Sequence, residues 1–89
     1  MIEINRAVAV GMADGPQAGL TVLEPVLASA TLASYAPLHA AHADLLERAG
    51  EAEAAVAAWA RAADATGNAV MREVLLRRQE EVRDDQEKS

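Results

Sequence analysis

The chain contains no cysteine and no phenylalanine, and Tyr35 and Trp59 are its only aromatic residues. Without cysteine, disulfide staples and thiolate chemistry are excluded. The shortage of aromatics acts on stability. Although 52% of the residues are hydrophobic, many are alanines, which favour helix but bury little area each, at about 25 cal/mol per Å². The core such a sequence can build is thin. No apolar run approaches the ~20 residues of a membrane-spanning helix. No charged leader followed by an apolar stretch opens the chain, so the sequence reads as that of a cytoplasmic protein.

Positive charge is also scarce. The formal net charge is −6, with acids in excess on both sides of the chain's centre, and such a surface does not attract phosphate backbones. Arg72, Arg77, Arg78 and Arg83 do cluster, but Glu73, Glu80, Glu81, Asp84 and Asp85 are mixed among them. With no uninterrupted basic block, the pattern is that of a solvated helix face, and direct nucleic-acid binding by this chain is not expected.

What the sequence has in abundance is helical periodicity. Leu38, Ala41, Leu45, Leu46 and Ala49 recur at helical spacing before Gly50, and Ala52, Ala55, Val56, Trp59, Ala62 and Ala63 do so after it. The pattern predicts a helical hairpin in which small residues at Ala55 and Ala62 admit a neighbouring backbone while Trp59 fills the space between helices. A first helix carrying Ile4, Ala7, Val8 and Gly11 should stop near Asp14, Gly15 and Pro16. A second, with Leu20, Leu23 and Leu27 as its stripe, should kink or end early at Pro25. Residues 28 to 34 lack a period and read as a connector, Ser34 can cap the third helix, and Pro37 fits its first turn. The fourth helix should run from about Glu51 to Thr66, closed by Gly67. Asn68 suits the N-cap of a fifth helix carrying Val70, Met71, Val74, Leu75 and Val82.

Ala7, Val10, Asp14, Gly19 and Leu23 stand 36 residues before Ala43, Leu46, Gly50, Ala55 and Trp59. That period is close to the ~34 residues of tetratricopeptide (TPR) repeats. The expected architecture is therefore all-α: two TPR-like hairpins plus a C-terminal capping helix, about five helices in one domain over residues 1–83, with a frayed acidic tail over 84–89.

Chemistry finds little to build on. His39 and His42 lie three apart on one helix, with Asp44 or Glu47 as a conceivable oxygen ligand, but a metal site needs three or four converging ligands and no further histidine exists. One histidine is expected to pack against the neighbouring hairpin and the other to meet solvent. Ser29, Thr31 and Ser34 lack a nucleophile elbow, and no strand precedes a glycine-rich loop. The carboxylate pairs Glu51/Glu53 and Asp84/Asp85 occupy a turn and a tail, where burial cannot raise a pKa. Tyr35 and Trp59 could stack on a ligand, but at helical packing positions they read as core. No catalytic residue, cofactor or metal is expected.

The phrases EINRAVAVGMADGPQAGL, YAPLHAAHADLLERAG and TGNAVMREVLLRR together resemble the C-terminal helical extension of one group of extracytoplasmic-function (ECF) bacterial sigma factors. The match falls on Asn5, Arg6, Ala7 and Val8, on Asp14, Gly15 and Pro16, then on Tyr35, Leu38, His39, Ala40, Asp44, Leu45 and Leu46. Thr66, Gly67 and Asn68 follow, with Arg77 and Arg78. The sequence departs from that pattern at Pro25, at His42 and Glu47, where basic residues are common, and at Gln79, where an apolar residue is usual. The resemblance implies a non-enzymatic, TPR-like module that regulates transcription initiation by docking on the sigma-factor domains, RNA polymerase or a signalling partner. The promoter-binding domains are not in this sequence, which looks like the excised extension. Tyr35, His39, Asp44, Asn5 and Arg6 are then the polar groups expected to order or present the docking surface; equally, Asn5, Arg6 and Asp44 can serve to tie adjacent helices together. The alternative function is a free-standing helical scaffold that binds a protein partner or forms a homodimer through its thin apolar faces, and a third, a small ligand-binding or metal-dependent enzyme, is the reading a metal analysis would test.

Overall fold

A computed structural model describes residues 2–88. Five α-helices account for nearly all of them: α1 (Ile2–Asp14), α2 (Pro16–Leu27), α3 (Ala36–Arg48), α4 (Ala52–Ala65) and α5 (Ala69–Lys88), with a 3-10 turn at Ala30–Leu32 between α2 and α3. There is no strand among the described residues, and none of these helices is long and apolar enough to cross a membrane.

The turns follow from local chemistry. Gly15 adopts φ 101° and Gly50 φ 80°, backbone that a side chain would strain. At the end of α3 the Glu51 amide donates to the Leu46 carbonyl at 2.9 Å and the Gly50 amide to that of Glu47 at 3.1 Å, the paired bonds of a Schellman motif. Asn68 caps α5 as expected, its Oδ1 accepting from the Met71 amide at 3.0 Å.

Three expectations are corrected. Ser34 does not cap α3; Tyr35 is the N-cap residue and makes no side-chain cap bond. Pro37 contributes, since it lacks the third-position amide, one of the two a Ser34 cap could use. Pro25 does not end α2, which continues to Leu27. The carbonyl orphaned by the missing Pro25 amide belongs to Thr21, and both residues are exposed, so the loss falls on the solvent side of the helix, where it costs least. The tail does not leave the helix at Asp84: α5 continues through Lys88, and Ser89 lies outside the described residues. No breaker interrupts this stretch, and Arg83/Glu87 and Asp84/Lys88 are spaced for i,i+4 pairing.

Helices α1 and α2 pair as one hairpin, α3 and α4 as a second, and α5 lies on α4, in a slab 31 × 31 × 18 Å. The 36-residue offset is reproduced in burial: Ala7 and Ala43, Gly19 and Ala55, and Leu23 and Trp59 are all buried in equivalent places. Two cores result. Ile4, Ala7, Leu23 and Val26 meet Leu38 and Leu45 in the first, while Ala43 and Leu46 meet Ala55, Ala58, Trp59, Ala62, Ala63, Leu75 and Val82 in the second. Helix α3 thus serves both. In the first hairpin the backbones touch: a Cβ on Gly19 would lie 2.6 Å from the Ala7 carbonyl oxygen and 3.0 Å from the Gly11 Cα.

Candidate docking surface

The five residues singled out from the sequence separate into two groups. Asn5 and Arg6 are exposed on α1. Tyr35, His39 and Asp44 lie along α3 and its N-cap, where their environments differ sharply. Tyr35 is 38% exposed and so is no core residue, whereas Trp59, at 4%, is one. His39 is buried, and its Nε2–H donates to the Ala33 carbonyl at 2.7 Å, tying the connector to α3. This bond assigns the proton to Nε2. Asp44 accepts from Arg48 Nε at 3.0 Å and stands 3.8 Å from Arg78 of α5. It therefore ties helices together, whereas Asn5 and Arg6 face solvent.

The group that organises this face is Glu47, which the sequence offered as a conceivable metal ligand and as a departure from the resembling pattern, not as a helix-to-helix contact. Its Oε2 accepts the Trp59 indole N–H at 2.7 Å and a guanidinium N–H of Arg78 at 3.1 Å. The Arg78 guanidinium also lies 4.8 Å from the Trp59 ring centroid. A buried indole requires an acceptor, and an acid at position 47 supplies it where a basic residue would not. With Arg78 about 42% exposed, its ion pairs are worth at most ~1 kcal/mol each. Gln79, the other departure, donates to the Val56 carbonyl of α4 at 3.1 Å. Arg72 donates to the Ala63 and Thr66 carbonyls at 3.2 and 3.1 Å. Helix α5 is thus held by two buried apolar residues, Leu75 and Val82, and by a row of polar bonds.

His42 is half-buried rather than open to solvent. Burial lowers its pKa below the ordinary 6.5, with the charges of Arg61 and His39 acting in the same direction. Both His39 Nδ1 and His42 Nδ1 are buried without a hydrogen-bond partner. A cavity of about 360 Å³ beside His39 is lined by Ala33, Ser34, His39, Arg61, Asp64 and Ala65. Among the described residues no three histidine, aspartate or glutamate side chains converge as a metal site requires.

The open feature of the molecule is the seam between α3 and α5. Both helices pack on α4, and α3 and α5 meet across the seam through side chains, chiefly Asp44 and Glu47 with Arg78. At one end of the seam a recess of about 440 Å³ is lined by Ala36, Pro37, Ala40, Met71 and Leu75, with Thr66 and Asn68 at its rim. At the other, a cavity of about 350 Å³ is lined by Glu47, Ala52, Val82, Asp85 and Gln86. The Asp44–Arg78–Glu47 bridge separates the two. Along α5, Val70, Met71, Val74 and Leu76 are exposed, although Val70, Met71 and Val74 were expected on its packing stripe. The face turned to α4 carries Arg72, Leu75, Gln79 and Val82, and Val70, Met71 and Val74 fall to one side of it. The chain matches no protein-family profile, no curated protein and no solved structure.

Proposed function

We propose that this chain is a non-enzymatic regulatory module of the kind attached to ECF sigma factors, acting in the cytoplasm on transcription initiation by docking against sigma domains or RNA polymerase. The observation that carries the docking role is the α3–α5 seam: an apolar recess that the chain's own side chains leave open, beside exposed Met71 and Val74. Exposed apolar surface with a polar surround is what protein-binding faces offer. The sigma-factor assignment rests on the three resembling phrases. They supply α1 and the turn to α2, the whole of α3, and the capped start of α5, which are the parts that build the seam and its support.

The test is a pair of titrations. The chain is expected to bind the purified sigma domains or polymerase, and to show no sequence-specific binding to promoter DNA, because its net charge of −6 opposes phosphate contact. Specific promoter binding by this chain alone would overturn the assignment. No binding to sigma domains or polymerase, together with concentration-dependent dimers, would favour the self-associating scaffold, which the exposed Val70 and Leu76 on opposite flanks of α5 support.

A further inference from the structure

The recess at the start of α5 has walls of one chemistry and a rim of another. Ala36, Pro37 and Ala40 of α3 face Met71 and Leu75 of α5, and the space of about 440 Å³ between them is the size of a small-ligand site. No charged residue is among its lining. Each wall is one helical turn, from Ala36 to Ala40 and from Met71 to Leu75, and so about 6 Å long. Thr66 and Asn68 complete the lining, and their acceptor atoms are already engaged. Asn68 Oδ1 takes the Met71 amide at 3.0 Å, and Thr66 Oγ takes the Asn68 amide at 3.2 Å. The cap bond fixes Oδ1 against the helix and turns Nδ2 away from it. What this rim has left to offer is therefore donors, the Asn68 Nδ2 amide and the Thr66 hydroxyl proton. Behind the rim stands the Arg72 guanidinium, which donates to the Thr66 carbonyl at 3.1 Å and the Ala63 carbonyl at 3.2 Å. Both partners are neutral, so its positive charge is not cancelled.

We propose that the recess binds a small aliphatic carboxylic acid, with its carboxylate at Asn68, Thr66 and Arg72 and a tail of roughly six to eight carbons between Pro37, Ala40, Met71 and Leu75. An apolar slot with donors and a cation at one end is complementary to an anion carrying an apolar tail. The tail supplies the affinity, and the rim selects the head group. The chain's net charge of −6 opposes anions at long range, but at physiological salt that field is screened beyond about 8 Å. Local groups then decide. Met71, unbranched and polarisable, adapts the wall to tails of differing length. This goes beyond the docking role of the seam: the acid occupies the wall offered to a protein, so the two exclude one another there.

The probe is sodium octanoate, titrated in monomeric form into the full chain carrying isotope-labelled methionine methyls, in about 0.15 M salt. The Met71 methyl resonance should move with a Kd of about a millimolar or below, while that of Met12, 68% exposed on the first hairpin, should not. Octylammonium should bind at least roughly tenfold more weakly, the reverse of the order that the net charge alone would give. From butanoate to octanoate, each added methylene should tighten binding about threefold to fourfold. Asn68→Asp keeps the helix cap but replaces the donor with an anion, and should weaken octanoate at least roughly tenfold. Asn5→Asp adds the same charge on exposed α1 and should leave binding unaltered. Ala36→Leu fills the recess and should abolish binding, with circular dichroism checking that each variant remains folded. Equal binding of octanoate and octylammonium would overturn the proposal, as would equal losses from Asn68→Asp and Asn5→Asp, or matching shifts at Met12 and Met71. If an apolar helical peptide moves Met71 and octanoate does not, the occupant is a protein side chain and the proposal falls. Sigma domains that bind a chain silent to octanoate leave the functional reading standing without this inference. Octanoate binding by a chain that sigma domains ignore leaves the inference standing without the assignment to sigma factors.

Discussion

Two residues show how little slack this core contains. Gly19 is helical, where alanine normally stabilises by about 1 kcal/mol. Here the added methyl would meet the Ala7 carbonyl oxygen at 2.6 Å, and a backbone atom cannot step aside. Gly19→Ala should therefore destabilise by roughly 1–3 kcal/mol, and a urea midpoint that stays put or rises would show that the hairpin can open without loss. Trp59→Ala should be more damaging, at about 3–5 kcal/mol for a buried aromatic, since the neighbouring core positions Ala55, Ala58, Ala62 and Ala63 are too small to fill the void. It also takes the indole N–H from Glu47, leaving Arg78 as its remaining partner. An unchanged melting temperature would mean that Trp59 contributes little to folding and belongs functionally to the α5 side.

Among the elements, the helices and their glycine turns were legible in the sequence because each signal was local: Gly15 and Pro16, Gly50, and Asn68 act within one turn of where they stand. The Ser34 cap was weakened by an equally local fact, the missing amide of Pro37, which the sequence contained. The docking surface was less legible. Asp44 was identified, but its partner Arg78 is 34 positions away, and nothing in a linear pattern announces that Glu47, Trp59 and Arg78 converge. The departures at Glu47 and Gln79 were the available signal, and both prove to be contacts of Trp59, α4 and α5. Helix α5 itself should be the least protected element. With only Leu75 and Val82 buried along its length, its amides should exchange with solvent faster than those of α3 or α4, fastest beyond Val82. Uniform protection across α3, α4 and α5 would show the polar bonds to be stronger than their exposure suggests. At the α3–α4 interface, the lowered pKa of His42 means that the folded state binds fewer protons than the unfolded one. Stability from this group is full above the unfolded value of about 6.5 and is lost as pH falls through the folded value. His42→Gln should flatten that part of the profile in denaturant titrations, and an identical acid slope in parent and variant would remove His42 from the account.

For the molecule as a whole, the repeat in the sequence and the unit of folding are out of step. The sequence repeats by hairpins, but Leu38 and Leu45 of α3 belong to the first core and Ala43 and Leu46 to the second. A nick in the connector between α2 and α3 would leave one piece with Leu23 bare and the other with Leu38 and Leu45 bare. The halves are therefore complementary fragments, not beads on a string: each is the other's missing wall, and mixing them should restore what neither retains alone.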